Sequence, residues 1–129
     1  MFASTILQIL LSVAVPAHAA ELSFEFESSF GERIERAAGS TNYPSGVTMD
    51  PATGDIYVTD LLFNRIQRFD KNGSPIAMWD SRQPLGLAWD PVDGGVWAAI
   101  WKKHKIIKYD PNGKVLLEIG KKGTGPGEF

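Results

Sequence analysis

The 129-residue chain contains no cysteine. This absence excludes disulfide bonds, thiolate metal ligands, a lipid-modified N-terminal cysteine and a cysteine nucleophile, so packing and strand pairing must stabilise the fold. An excess of positive charge is also missing, because the formal net charge is -2 at pH 7. Nucleic-acid-binding domains are typically strongly basic, and the sequence therefore predicts no nucleic-acid partner.

Long apolar runs are scarce, and the one extended run, residues 6–15, lies near the N terminus. A proline and a small-x-small sequence at 17–19 follow it, which is typical of a cleaved signal peptide. The run is shorter than the roughly 20 apolar residues that cross a bilayer. We therefore expect residues 1–19 to be a signal peptide and the mature chain to be secreted or periplasmic, without a membrane span. His104 is then its only histidine, so one copy holds no all-histidine metal site.

The clearest pattern is an internal repeat of 40 residues, which covers residues 43–79 and again residues 83–119 without an insertion. The matching residues are Pro44 and Pro84, Gly46 and Gly86, Asp50 and Asp90, Gly54 and Gly94, Ile66 and Ile106, Asp70 and Asp110, and Gly73 and Gly113. A repeat of this length, punctuated by turn residues, predicts the blades of a β-propeller. A propeller needs about 4 to 8 blades to close, so we expect this chain to be a fragment of a longer protein.

Each repeat predicts four short antiparallel strands. The expected strands are residues 47–49, 56–59, Arg65–Phe69 and 75–79 in the first repeat, and 87–89, 96–99, Lys105–Tyr109 and 114–119 in the second. Asp-Pro followed by Gly, and Asn-Gly, supply the turns between them. Residues 22–30 alternate between apolar and polar side chains and predict a further strand, which would pair with C-terminal strands to close a ring. The four tryptophans are expected to pack in the core.

These patterns divide the chain into five parts: a signal peptide (1–19), an N-terminal strand and connector (20–42), two repeats (43–82 and 83–122), and the start of a third (123–129). The repeats, with Pro-x-Gly-Val-x-x-Asp-Pro in the first and Asn-Arg-Ile-Gln-x-Phe-Asp-x-x-Gly after it, resemble the NHL repeat of six-bladed β-propellers. The second repeat is also similar to the peptidyl-hydroxyglycine amidating lyase group, through residues such as Trp97, His104 and Lys108.

The lyase resemblance implies a zinc ion held by histidines that follow the opening proline of a repeat. Ser45 and Leu85 occupy these positions here, and neither is a usual zinc ligand. The resemblance places a catalytic arginine near Asp60 or Leu61. The sequence therefore assigns no catalytic residue and no metal ligand to this chain, and the cofactor of the whole protein is left open.

The candidate ligand-binding residues lie in the loops between strands, where rigid scaffolds commonly carry binding groups. They are Tyr43, Asp60, Asn64, Gln83, Trp101, Lys103 and His104. Two of them have alternatives from the same sequence. Asp60 could bind calcium with oxygens from other blades, or it could hydrogen-bond within the fold with Asn64 and Arg65. His104 could act as a proton shuttle or ligand, or it could be a solvated loop histidine.

The sequence predicts an exported NHL-type propeller that binds a protein, peptide or small-molecule ligand through its loops. The alternative is an enzyme of propeller type, either an amidating-type lyase or a calcium-dependent lactonase or esterase. A third hypothesis treats the chain as complete and predicts that three copies form six blades as a homo-oligomer.

Overall fold

The computed structural model describes residues 37–129, and the predicted signal peptide and N-terminal strand lie outside the described residues. Eight strands form two four-stranded antiparallel sheets, with orders β1-β2-β3-β4 and β5-β6-β7-β8. The strands are β1 (Pro44–Met49), β2 (Ile56–Asp60), β3 (Arg65–Phe69), β4 (Pro75–Asp80), β5 (Pro84–Asp90), β6 (Gly95–Ile100), β7 (Lys105–Tyr109) and β8 (Val115–Ile119). We call the first sheet blade 1 and the second sheet blade 2. The two sheets confirm the predicted all-β class and the four strands in each repeat.

The predicted strand bounds are met at β3 and β7, while other strands differ at their ends. β1 and β5 begin three residues earlier than expected, at Pro44 and Pro84, because a bulge shifts the register before Val47 and Leu87 and the pairing continues beyond it. Lys114 falls outside β8, since its amide closes the preceding turn on the Asp110 carboxylate at 2.9 Å.

An aspartate stabilises the turn between paired strands at a spacing of 20 residues. Asp50, Asp70, Asp90 and Asp110 each accept a backbone N–H two residues further on, at 2.8 to 3.0 Å. Backbone hydrogen bonds lower the pKa of the Asp50 and Asp110 carboxyl groups, chiefly from the amide of Ala52 to Asp50 and from the amide of Lys114, four residues on, to Asp110. These four positions hold the hairpins at one end of both blades.

The two blades pack through their first strands, β1 and β5. The Thr59 hydroxyl donates to the Leu85 carbonyl at 2.7 Å, and the Trp89 amide donates to the Thr48 hydroxyl at 3.0 Å. A side chain at Gly46 would fall on the Leu85 carbonyl oxygen, so glycine permits this close approach of the backbones. The first strands therefore fix how one blade stacks on the other.

Aromatic side chains fill the space between the blades. Tyr57 lies 5.7 Å from Trp89 and 6.4 Å from Trp79 between ring centroids, and Trp79 lies 5.8 Å from Tyr109. These contacts confirm the predicted packing for two tryptophans. The prediction is wrong for Trp101, whose side chain is exposed because it begins a 3₁₀ turn, Trp101–Lys103, outside the sheet.

Candidate functional site at the upper loop end

The predicted binding residues lie at one end of the blades, which we call the upper loop end. It consists of residues 37–43, 61–64, 81–83 and 101–104. Strand direction alternates along each sheet, so these connections fall opposite the aspartate hairpins described above. The fold therefore brings loops from both blades to the same end, as the sequence predicts.

Four of the predicted residues occupy turn positions with positive φ. Tyr43 and Gln83 have φ of 68° and 54°, and Asn64 and His104 have φ of 55° and 51°. Each pair is separated by 40 residues, so the same backbone turn recurs in each blade. Residues other than glycine rarely adopt this conformation, although asparagine and histidine do so more readily. At these positions the two blades share a backbone conformation although their residue types differ.

The backbone groups of these residues link the loops to one another. The Leu61 amide donates to the Tyr43 carbonyl at 3.2 Å, and the Trp101 amide donates to the Gln83 carbonyl at 3.1 Å. The Asn64 side-chain oxygen accepts the Gln83 amide at 3.0 Å, which joins the loops of the two blades. The loop end is thus a hydrogen-bonded frame on which the side chains are displayed.

Asp60 is the one fully buried member of the predicted set. Its carboxylate pairs with the Arg65 guanidinium at 3.3 Å and accepts the Phe63 amide at 3.2 Å. Arg65 in turn donates to the carbonyls of Ser40 at 2.5 Å and Ala37 at 3.0 Å. This geometry supports the structural alternative for Asp60, because its carboxylate pairs with Arg65, and Arg65 holds the chain before blade 1.

The loop end contains a small cavity of about 190 Å³ beside blade 2. It is lined by Ala99, Ile100, Trp101, His104, Lys105, Ile106 and Phe129. Its floor is apolar, two of the predicted residues form its wall, and the ring of Phe129 contacts the chain at Gly120 on the other side. Lys105 is held at the rim by Glu118, 2.6 Å away. Sequence reasoning missed the cavity because Phe129 and Ile100 come together only in the fold.

The remaining predicted residues lie beside this cavity or above the loop frame. Trp101 and Tyr43 are 57% and 64% exposed, and Lys103 is exposed as well. The ammonium group of Lys102 lies 5.5 Å from the centre of the Trp101 ring. Within residues 37–129, the side-chain oxygen of Gln83 is buried and accepts no hydrogen bond. The loop end therefore offers aromatic surface and positive charge, and it buries one unpaired acceptor.

Within residues 37–129, the side chains do not form by themselves the zinc or calcium site that was considered from the sequence. In the described part of the chain, no three His, Asp or Glu side chains are placed to hold a metal ion. The Ser45 hydroxyl, at a position where the lyase resemblance implies a ligand, lies 3.1 Å from the Thr59 hydroxyl and 3.4 Å from the Pro84 carbonyl. Asp60, the candidate calcium ligand, is held by Arg65. Residues 37–129 also contain no helix long and apolar enough to span a membrane.

Solved structures similar to this chain are propeller-type proteins. A catalytically inactive variant of virginiamycin B lyase from Staphylococcus aureus with quinupristin is 25% identical, with a TM-score of 0.52 over 63% of this chain and 27% of that chain. A streptogramin B lyase is 22% identical, with a TM-score of 0.53 over 68% of this chain and 28% of that chain. Regucalcin from Agrobacterium tumefaciens, described as a calcium-binding protein, is 21% identical, with a TM-score of 0.47 over 62% of this chain and 30% of that chain.

The chain matches only part of these proteins, spanning 27% and 28% of the length of the two lyases. No curated protein matches its sequence. A family profile, described as the SMP-30/Gluconolactonase/LRE-like region, matches residues 26–124, which include both blades. The chain therefore belongs to the SMP-30/gluconolactonase/LRE-like family of β-propellers.

Proposed function

We propose that the protein is an exported six-bladed propeller of NHL-like repeats that binds a small organic or peptide ligand at its upper loop end. The observation that carries this proposal is the cavity beside Trp101 and His104 on a rigid loop frame. Binding sites are commonly concave and mostly apolar, with a few polar groups that orient the ligand. The apolar floor, the two aromatic side chains Trp101 and Phe129, and the polar side chains of His104 and Lys105 have this composition.

The size of the cavity limits what these two blades bind alone. Its volume of about 190 Å³ accommodates a single ring or a short side chain, whereas sites for larger ligands are typically about 300 to 1,000 Å³. We therefore expect this cavity to take one group of the ligand, with neighbouring blades contacting the rest. Lys105 is a cationic side chain that lines the cavity, and it pairs with Glu118 at 2.6 Å.

Nuclear magnetic resonance titration of the 129-residue chain would test this proposal, with quinupristin and δ-gluconolactone as probes. We expect a bound probe to shift the amide signals of residues 43, 61–64 and 101–104. Trp101→Ala should weaken binding by about tenfold or more, because an exposed aromatic side chain next to an apolar cavity is a typical anchor.

Val92→Ala is the matched control, since Val92 is 91% exposed in the turn between β5 and β6, at the opposite end of blade 2. It should bind the probe as the unchanged chain does. Shifts confined to residues away from the loop end, or a Trp101→Ala variant with unchanged affinity, would contradict the proposed site.

A second candidate function is catalysis by the whole protein. It is favoured by the family description, which names gluconolactonase, and by the 25% identity to a lyase solved with quinupristin. We would measure acid release from δ-gluconolactone and conversion of quinupristin by mass spectrometry. Activity that is lost in His104→Ala and kept in Val92→Ala would assign the reaction to the loop end, while probe binding without conversion would favour the binding function.

A further inference from the structure

The chain contains two Asn-Gly pairs, Asn72-Gly73 and Asn112-Gly113, at matching positions of the two blades. Each pair lies in the turn between the third and the fourth strand of its blade, and both asparagines are exposed. Asn112 is exposed although Trp79 of blade 1 packs against the same turn. The asparagine at this turn is therefore open to solvent even where a neighbouring blade is in place.

An Asn-Gly pair reacts within its own backbone, because glycine has no side chain to hinder the approach of its nitrogen. The glycine nitrogen loses its proton and bonds to the side-chain carbonyl carbon of the asparagine. The bond from that carbon to the amide nitrogen breaks, and ammonia leaves. Water then opens the cyclic imide to aspartate or isoaspartate. Isoaspartate carries a negative charge and an additional methylene group in the backbone, so its formation changes the turn.

The two turns have the same backbone hydrogen bonds. The Gly73 amide donates to the Asp70 carbonyl at 3.0 Å, and the Gly113 amide donates to the Asp110 carbonyl at 3.0 Å. The aspartate carboxylates accept the asparagine amides at 2.8 Å in both turns. The glycine nitrogen must leave its hydrogen bond before it reacts, so each turn has to open locally first. Since the bonds within the turns match, a difference in opening must come from their neighbours.

Trp79 is a neighbour that covers the turn of blade 2. A side chain at Gly113 would fall on the indole ring of Trp79, so this ring lies directly on the glycine. The ring is itself held between the blades, with its centroid 5.8 Å from that of Tyr109 and 6.4 Å from that of Tyr57. The turn of blade 2 therefore opens only if Gly113 separates from a ring that the stacked blades hold in place.

Gly39 occupies the corresponding place beside blade 1. It lies 40 positions before Trp79, and a side chain on it would begin 3.4 Å from the ring of Pro75, two residues after Gly73. Because glycine has no side chain, position 39 places no ring over Gly73. The two matched turns thus differ at one neighbouring position, which is tryptophan for blade 2 and glycine for blade 1.

We propose that Asn72-Gly73 is a site of spontaneous conversion to isoaspartate, and that Trp79 keeps the matching Asn112-Gly113 pair unreacted while the blades are stacked. The conversion consumes water and releases ammonia. The turn of Asn72 lies at the end of blade 1 with the aspartate hairpins, opposite the upper loop end. The modification therefore accumulates with the age of the protein away from the proposed ligand site, and it does not depend on the proposed function.

Peptide mapping by mass spectrometry tests this proposal on the 129-residue chain after incubation for several days at mildly alkaline pH. Labelling with an isoaspartyl methyltransferase distinguishes isoaspartate from aspartate. Asn72 should react faster than Asn112 by about fivefold or more, because a modest difference in the free energy of local opening has this effect. In urea the two rates should become similar, since the ring of Trp79 no longer covers Gly113.

Variants at Trp79 identify the cause of the difference. Trp79→Ala should raise the rate at Asn112 to that at Asn72, whereas Trp79→Phe, which keeps a ring, should leave Asn112 slow. Val92→Ala, in an exposed turn at the same end of blade 2, is the matched control and should change neither rate.

Circular dichroism shows which variants are folded, and the comparison in urea needs no variant. Equal rates at Asn72 and Asn112 in the folded chain, or a difference that persists in urea, would overturn the proposal. A folded Trp79→Ala variant in which Asn112 stays slow would overturn it as well.

Discussion

Blades 1 and 2 have the same backbone frame and different side chains within it. Both have positive φ at the residue before the opening proline and at the residue before the third strand, and both have bulges at matching places. At the end of the second strand, blade 1 has Asp60 paired with Arg65, whereas blade 2 has Ile100 in the apolar core. The turn residues thus specify the backbone conformation that both blades share. The side chains on each face differ because each face packs against a different neighbour.

At the opposite end, both blades have an ion pair beside an aromatic ring, but the residues that form it differ. In blade 1, Arg68 pairs with Asp55 and lies over the ring of Tyr57. In blade 2, Lys108 is 2.6 Å from Asp90 and 2.5 Å from Asp93, and it lies over the ring of Trp97. Gly95 of blade 2 corresponds to Asp55 of blade 1, so other carboxylates, those of Asp90 and Asp93, bind the cation in blade 2. Both blades therefore place a cation between a carboxylate and an aromatic ring, with the carboxylate at a different position in each blade.

The largest expected difference between the blades is at the end of the second strand. Asp60→Ala should lower the free energy of unfolding by about 3 to 5 kcal/mol, because it removes a buried carboxylate that pairs with the Arg65 guanidinium. Ile100→Val, the matched change in blade 2, should cost about 0.5 to 1.5 kcal/mol. Urea denaturation of both variants measures the difference. Equal losses would mean that the ion pair does not stabilise blade 1 in this way.

The next difference concerns the two glycines of the first strands. Gly46→Val should destabilise the chain by about 1 to 3 kcal/mol or more, since the side chain would collide with the β5 backbone. Gly86→Val should have little effect on the unfolding of the monomer, because the space around it is open. Thermal unfolding at low protein concentration compares them. A large loss in Gly86→Val would show that this position is constrained within its own blade.

A pH-dependent difference should arise from the charge pair of blade 2. The Lys108 ammonium, followed by the Val92 amide and the Trp97 indole, lowers the pKa of Asp90 from 3.8 to about 2. A carboxylate with a lowered pKa stabilises the fold above its unfolded value, and this stabilisation is lost as the pH falls from about 4 to 2.

Asp90→Asn should therefore be less stable than the unchanged chain near neutral pH, and the gap should narrow below about pH 4. Urea midpoints at about pH 6, 4 and 2.5 would show it. A gap that is constant across this range would exclude the titration of Asp90 as its source.

The smallest effect is expected at the exposed pair of Lys105 and Glu118, whose side chains are 38% and 42% exposed. Lys105→Met should leave the urea midpoint unchanged within error, because solvent screens such pairs. Lys108→Met should lower the urea midpoint measurably, because the pair of Lys108 and Asp90 is largely buried. Equal effects would show that burial does not separate the two pairs.

The sequence predicts the strands and turns well because local patterns determine them. Arg65–Phe69 and Lys105–Tyr109 have the bounds expected from their alternation and from the flanking turns. The sequence also allows the pairing of Asp60 with Arg65 to be predicted, because the hairpin register places these two residues opposite each other.

The site and the packing of the blades depend on contacts that no local pattern contains. Gly46 and Gly86 match in the sequence, and only the fold shows that one is covered and the other is open. Trp101 resembles the core tryptophans in type, yet it follows β6 into a turn and is exposed. The loop-end cavity needs Phe129, which returns to the blade through a hydrogen bond from its amide to the Lys121 carbonyl at 2.9 Å.

The two matching blades stack face to face, and proton–proton contacts in solution detect this stacking. Nuclear Overhauser spectra of the 129-residue chain should connect the ring of Tyr57 with that of Trp89, and the ring of Trp79 with that of Tyr109. The ring of Trp97 should show contacts within blade 2 alone, because it lies on the face of blade 2 that blade 1 does not cover. Strand pairing within each blade without these contacts between the blades would show that the blades do not stack.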